Sequence, residues 1–216
     1  SITDEGYLTF ANVGGVDERT LPSTEVTVHG KEDLWGVIGI KPNYLLEQEK
    51  TAKLKELAVD TGLSAEKVKE LAAVGDSITL AQSVGRLGKK QFSGKSLDDR
   101  ASVAAIMRVM KNIKDLDIDI DVYAVAAVQE EVGCRGGKTT AYGINPDMAV
   151  AIDVCHGITP DNSDNAFEVG TGTVLSIGPN LHPKLTDELF AVSKRHGIKV
   201  STDVDGGNTG TDAWEI

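Results

Sequence analysis

Cysteine and aromatic side chains are scarce in this sequence of 216 residues. The two cysteines, Cys134 and Cys155, are too few for a disulfide framework, and they do not form a C-x-x-C pair. We therefore predict that both are buried, reduced thiols. Aromatic residues make up 5% of the chain, so a hydrophobic core has to be built mainly from Val, Ile, Leu and Ala.

The chain also has fewer positively charged residues than acidic ones, and it has no long apolar segment. The chain has 22 Lys and Arg against 33 Asp and Glu, which gives a net charge of −11. Because phosphate-binding surfaces need clustered Lys and Arg, nucleic acid and anionic membranes are poor candidates for partners. No apolar run approaches the roughly 18 residues of a membrane span, and the start of the chain does not resemble a signal peptide. We expect a cytoplasmic protein.

Short β-like segments dominate the first part of the chain, to about residue 90. They are YLTF, EVTVHG, LWGVIGI, KELAVD and DSITLA, separated by turns that contain glycine. Strands of this length and spacing predict a small β-barrel or sandwich. One helix interrupts them: Ser64 is a suitable N-cap, and Val68, Leu71 and Ala72 follow on one face. We assign residues 1–90 to a small β-barrel domain.

Helical and strand-like patterns alternate in the second part, residues 91–216. Apolar side chains recur at helical spacing from Ala101 to Lys111, and a second helix is predicted from about Pro183 to His196. The other segments are the apolar runs IDVYAVAAVQ, MAVAIDV, VGTGTVLSIG and IKVSTDV. Nearly continuous apolar strands separated by helices indicate an α/β sheet whose strands are buried on both faces.

Acidic residues occur at three places where this sheet is expected to bind ligands, beyond the carboxyl ends of its strands. Asp98 and Asp99 precede the helix that begins at Ala101, Glu130–Glu131 ends the run YAVAAVQ, and Asp153 ends MAVAID. The two aspartates also fit a helix N-cap, and the glutamates also fit a solvated strand end. Each signal by itself therefore leaves both interpretations open.

The glutamate pair Glu130–Glu131 is the most informative of these signals. Adjacent like charges raise one pKa unless a cation neutralises them, and a metal would bind one carboxylate and leave the other free to accept a proton from water. Asp153 lies in an apolar run, where a lone carboxylate is costly unless it is paired or bound to metal. His156 follows Asp153 closely, but without an H-E-x-x-H motif we predict that it packs behind the site. Solvated or capping positions are expected for His29, His182 and His196.

Four motifs, in their order and spacing, resemble those of the TET-type dinuclear metalloaminopeptidases: GKSLDDR, VQEEVGCRGGKTTAYGINPD, AIDV and GTDA. This family is also called deblocking or glutamyl aminopeptidase, and older names for its members are cellulase M and endoglucanase. The segments GYLTFANVGGVD, GVIGIKP and VGD resemble the family's inserted β domain. The resemblance implies a zinc-peptidase-like α/β/α sandwich, preceded by a β-barrel that serves as lid and dimerisation domain.

The resemblance also implies a role for each acid. Asp98 would bridge two divalent ions, zinc or cobalt, and Asp99 would support it across a cis peptide bond. Glu131 and Asp153 would each bind one of the ions, and Glu130 would be the general base. The implied activity is the removal of N-terminal amino acids from peptides, by dimers that assemble further into dodecamers.

Two further metal ligands of the family would lie outside this sequence. One histidine, in an H-x-D motif, would precede Ser1, and another would follow Ile216. The chain is therefore expected to be truncated at both ends and weakly active or inactive by itself. Two other functions stay open: a glycoside hydrolase, which would need no metal and would survive a chelator, and a non-catalytic oligomerisation fragment.

Overall fold

The computed structural model describes residues 1–40, 53–164 and 166–216. The chain forms two compact units, Ser1–Lys95 and Ser96–Ile216. The first unit is mainly β-structure, and the second combines helices with short strands. A mixed α/β fold is thereby confirmed, while the roles of lid and catalytic domain stay predictions.

An antiparallel four-stranded sheet is the main feature of the first unit. Its order from edge to edge is β3 (Leu57–Asp60), β2 (Asp33–Ile40), β1 (Glu25–His29) and β4 (Ser77–Leu80). Alternate residues of β1 and β2 are buried and their neighbours are more exposed, as expected for a sheet with one covered face. A separate hairpin is formed by β5 (Gly85–Leu87) and β6 (Gln91–Ser93), where Arg86 lies over the ring of Phe92.

One helix, α1 (Ala65–Leu71), contributes to the core beneath this sheet. Its N-cap is Ser64, as the sequence predicted, and the hydroxyl accepts a hydrogen bond from the amide of Lys67. Val68 of the helix is fully buried and packs in one cluster with Val26 and Val59 of the strands. The cluster is aliphatic apart from peripheral contacts, which agrees with the shortage of aromatic residues. Short 3-10 turns at Glu18–Thr20 and Leu54–Glu56 complete the unit.

The predicted β-barrel is wrong for the residues that the structure describes, because no sheet closes on itself there. The four-stranded sheet ends at β3 on one side and at β4 on the other, and no described hydrogen bonds join these two edges. The predicted strand YLTF contributes only Leu8, which makes isolated bridges to Val59 and to Ile2. A single bridge cannot extend the edge of β3 into a fifth strand, so the sheet stays open.

Among its described residues, the second unit contains three α-helices and one pair of parallel strands. Strand β7 (Thr173–Ile177) leads through α4 (Pro183–His196) into β8 (Val200–Val204), which is a β-α-β arrangement. His182 caps α4 through the amide of Leu185, and Gly197 ends it with a φ of 65°. The other two helices are α2 (Leu97–Ile113) and α3 (Arg135–Ile144). Among the described helices, none combines the length and apolar character needed to cross a bilayer.

Two predicted strands of the second unit do not form, namely the apolar runs at residues 120–129 and 148–154. In the described part of the chain, neither run has a backbone ladder to a neighbouring segment. Their apolar side chains are exposed rather than buried on both faces: Tyr123 is 63% exposed and Met148 is 72% exposed. A run of apolar residues becomes a strand only when another strand satisfies its amides and carbonyls, and these runs lack that neighbour.

Candidate metal centre

Three aspartates of the second unit converge on one point: Asp98, Asp99 and Asp153. One carboxylate oxygen from each lies within 4.8 Å of the others. The peptide bond between Asp98 and Asp99 is cis, in agreement with the expectation from the resemblance. Both residues have non-helical backbone angles at the start of α2, so Asp98 and Asp99 precede the regular part of the helix.

The helix-cap interpretation of these aspartates holds for Asp99. Its Oδ1 accepts a hydrogen bond of 3.0 Å from the amide of Ser102, which is buried in the first turns of α2. Asp98 has no such contact among the described hydrogen bonds, and its side chain is exposed. One aspartate of the pair therefore stabilises the helix start, while the other presents its carboxylate to the cluster.

Electrostatic coupling joins both glutamates to these aspartates. The pKa of Asp153 is raised to about 6, mainly by burial and also by the charges of Asp99, Glu130 and Asp98, while the hydrogen bond from the amide of Val154 opposes the rise. Burial also raises the pKa of Glu131, followed by the charges of Asp98, Glu130 and Asp99. All five acids that the sequence singled out therefore share one region of negative potential.

A tight turn brings Glu130 into this region. Gln129 has a positive φ of 57°, a 3-10 turn follows at Glu130–Val132, and the amides of Gly133 and Cys134 both donate to the carbonyl of Glu130. The turn is closed by the amide of Gly136, which donates to the carbonyl of Val128. A Cβ on Gly136 would collide with the backbone of Val128, so only glycine fits there.

A second group of ligating side chains lies beside the first, and the sequence reasoning did not predict it. It consists of Glu130, Cys134 and Asp212, whose ligand atoms also lie within 4.8 Å of one another. The thiol of Cys134 donates to Oε1 of Glu130 over 3.2 Å. Asp212 belongs to the GTDA motif, which was recognised without a role for its acid. The 3-10 turn Asp212–Trp214 packs against α3, close to Gly137.

The predictions for the cysteines and histidines are partly corrected. Both cysteines are free thiols. The prediction that they are buried is wrong for Cys155, which is exposed, whereas Cys134 is half-buried. Neither acidic group contains a histidine. His182 is a helix cap as predicted, whereas His29 contacts the side chains of Asp33 and Thr79, each over 2.9 Å.

The donor set of the aspartate group fits a divalent cation. Oxygen ligands from several carboxylates suit hard divalent ions. A bound cation would favour the ionised forms of Asp153 and Glu131, whose pKa values are raised by burial first and then by the neighbouring acids. Zinc and cobalt sites usually add nitrogen ligands from histidine to such carboxylates. Asp98, Asp99 and Asp153 are therefore residues that could hold a metal, and Glu131 is coupled to them electrostatically.

The sequence also matches one known protein family along its length. The profile of a family described as M42 glutamyl aminopeptidase matches residues 1–216. The chain belongs to this family. Its members are metallopeptidases, so membership implies divalent metal ions, which the carboxylate groups described above are suited to bind.

Individual members of the family are similar to this chain in sequence and in structure. A lysyl aminopeptidase from Pyrococcus furiosus is 31% identical over 98% of this chain and 63% of its own length. The structure of an aminopeptidase from the archaeon Desulfurococcus kamchatkensis is similar with a TM-score of 0.88 and 36% identity, over 100% of this chain and 62% of its own. The TET1 peptidase of Pyrococcus horikoshii has a TM-score of 0.83 and 32% identity, over 98% and 66% of the two chains. The chain thus spans roughly two thirds of the length of these relatives.

Proposed function

We propose that this chain supplies the metal-binding carboxylates and the general base of a dinuclear metalloaminopeptidase that removes N-terminal residues from peptides. The observation that carries the proposal is the convergence of the three aspartates in one cluster, with both glutamates coupled to it electrostatically. In this assignment Asp98, Glu131 and Asp153 would hold the two divalent ions, with Asp98 shared between the ions and Glu131 and Asp153 each assigned to one of them. Asp99 supports Asp98 and holds the start of α2.

Glu130 is the base in this proposal. A divalent ion supplies Lewis acidity toward a peptide carbonyl and toward an attacking water. The carboxylate of Glu130 accepts a proton from that water and returns it to the leaving amine. Its position supports this role, because Glu130 lies outside the group of three aspartates while its charge acts on both Asp153 and Glu131.

The spacing of the acids favours this function over glycoside hydrolysis. Paired carboxylates of a glycosidase flank one bond, about 5–5.5 Å apart in retaining enzymes and about 6.5–9.5 Å apart in inverting ones. The aspartate oxygens here approach within 4.8 Å of one another and so suit a shared cation better than an intervening sugar. A chelator separates the two functions: it abolishes peptide cleavage by the natural protein that carries this sequence and would spare a glycosidase.

Metal binding by the chain itself tests the proposal. Equilibrium dialysis followed by elemental analysis should find zinc or cobalt bound to the chain, and the double variant Asp98→Asn, Asp153→Asn should lose it. The matched control is Asp187→Asn, the same change at an exposed position of α4. Equal metal content in all three proteins would contradict the proposed site.

Self-association is part of the same proposal. The Pyrococcus horikoshii relative is a peptidase that assembles into a tetrahedron or a large octahedral shell. The present chain leaves several large apolar side chains exposed in its second unit, which is unusual for a monomer in water: Ile120, Tyr123, Val128, Met148 and Val150. Light scattering should find particles larger than one chain, and a stable monomer at micromolar concentration would contradict this part.

A further inference from the structure

We propose that Cys134 is a positioning residue that holds the carboxylate of Glu130 in place, an inference that rests on the role proposed for Glu130 as base. The thiol sulfur lies 3.2 Å from Oε1 of Glu130, and the S–H group is the donor. Nothing in the motif pattern of the sequence points to this contact. It follows from the way the chain turns after the glutamate pair.

The backbone fixes the thiol in this position. Cys134 adopts a left-handed conformation with a φ of 51°, which is uncommon for residues other than glycine, and its amide donates to the carbonyl of Glu130 over 2.9 Å. The next amides, of Arg135 and Gly136, are bonded to the carbonyls of Gln129 and Val128. Cys134 therefore contacts Glu130 through both its backbone and its side chain.

Like charges surround Glu130, and this is why a donor is needed. Asp212 has a carboxylate oxygen within 4.8 Å of a carboxylate oxygen of Glu130 and of the sulfur of Cys134. Glu131 is adjacent to Glu130 in the chain. Oδ1 of Asp212 is shielded from solvent and has no hydrogen-bond partner among the described residues. Burial, followed by the charge of Glu130, raises the pKa of Asp212, and the amide of Gly137 opposes this rise only in part. Repulsion from two acids would otherwise displace the carboxylate of Glu130.

A thiol suits this task chemically. It is a neutral donor, so it orients a carboxylate without cancelling the negative charge that a base needs. Burial, the hydrogen bond to Glu130 and the nearby acids raise the pKa of Cys134 to about 11, so the sulfur keeps its proton at neutral pH. A lysine or arginine in the same place would pair with Glu130 and weaken it as a base.

The S–H stretching band in the infrared spectrum tests the contact without any assay of activity. In a Cys155→Ala background, Cys134 is the sole remaining thiol. Replacement Glu130→Ala should shift the band to higher frequency, because the acceptor is gone. The control Glu215→Ala removes another acid near Cys134 that accepts no hydrogen bond from the thiol. This substitution should leave the frequency of the S–H band unchanged. If the frequency of the S–H band is the same after Glu130→Ala, the inference is wrong. A thiolate-to-cobalt absorption band would also overturn it, because the sulfur would then be bound to metal.

Kinetics of the natural protein that carries this sequence provide the second readout. Cys134→Ala should lower kcat by about tenfold and leave KM within about twofold, the effect of one weak hydrogen bond to a charged group. Cys134→Ser should restore most of kcat, because its hydroxyl also donates. If Glu130→Gln abolishes turnover but Cys134→Ala does not lower kcat, the inference about Cys134 fails alone. If Glu130→Gln leaves turnover intact, the proposed function fails, and the infrared band still decides on the hydrogen bond.

Discussion

Replacement of Asp153 by Asn should stabilise the metal-free protein and at the same time weaken its stabilisation by metal. Asp153 is partly buried, and its pKa is raised from 3.8 to about 6 by burial first and then by the charges of Asp99, Glu130 and Asp98. The ionised carboxylate therefore destabilises the fold when no cation is bound. Asparagine has nearly the same shape and keeps an oxygen that can accept from the amide of Val154.

The size of the effect follows from the difference in pKa. A difference of about two between the folded and unfolded states corresponds to roughly 3 kcal/mol, but much of the carboxylate faces solvent, so we expect about 1 kcal/mol after screening. The folded pKa lies above the unfolded one, so the penalty is absent below about pH 4, grows as the pH rises to about 6, and is complete above that. The advantage of Asp153→Asn should therefore be present at pH 7 and vanish near pH 3.5.

Urea unfolding in the presence of a chelator, at both pH values, measures this advantage. Repeating the pH 7 titration with a divalent ion at 100 times its Kd should stabilise the unmodified protein by about 2.7 kcal/mol more than Asp153→Asn, because the variant lacks the ligand of one ion. Metal thus reverses the order of stability of the two proteins. The control Asp187→Asn should behave as the unmodified protein throughout. A loss of stability in metal-free Asp153→Asn, or an unaltered response to metal, would refute the reasoning.

Three further outcomes are expected. Glu130→Gln should keep its metal but lower turnover of the natural protein by roughly 10²–10⁴, because the amide cannot accept a proton; near-normal rates on peptide anilides would place the base elsewhere. Val59→Ala removes fully buried atoms from the core of the first unit and should lower the free energy of unfolding in urea by about 2 kcal/mol. The control Val74→Ala, at an 81% exposed position, should leave the free energy of unfolding almost unchanged. Equal losses of stability in the two variants would contradict the assigned core. The 216 residues alone, loaded with zinc or cobalt, should cleave leucyl and glutamyl anilides far more slowly than an intact relative, and comparable rates would disprove this.

The acids of the candidate site could be predicted from the sequence because their signal is local. Two adjacent aspartates before a helix, two adjacent glutamates after an apolar run and one aspartate within such a run are visible without a fold. The structure brings Asp98, Asp99 and Asp153 together and couples Glu130 and Glu131 to them. Their roles as bridge, ligands and base stay predictions.

The open sheet and the unpaired apolar runs could not be predicted, because they depend on which segments find partners. The alternation of apolar and polar residues identified β1, β2, β3 and β4. Closure into a barrel also needs hydrogen bonds between the two edge strands, and the pattern within one strand does not specify those bonds. Residues 120–129 and 148–154 have the composition of buried strands, yet a strand also requires a neighbour along its whole length.

The second group of ligating residues was missed for a related reason. Glu130 and Cys134 are four residues apart, which places them side by side only because a 3-10 turn and a left-handed residue connect them. Asp212 is distant in sequence and reaches the same place because its turn packs on α3. Spacing alone indicates neither contact, although the glycines at 133, 136 and 137 signal a tight turn.

Anomalous diffraction from crystals of the protein grown with cobalt tests the central claim most directly. If the carboxylates form the metal centre, anomalous peaks will lie within coordination distance of Asp98, Glu131 and Asp153, and Glu130 will approach without binding. A peak confined to Glu130, Cys134 and Asp212, or no peak near either group at full cobalt loading, would contradict the account.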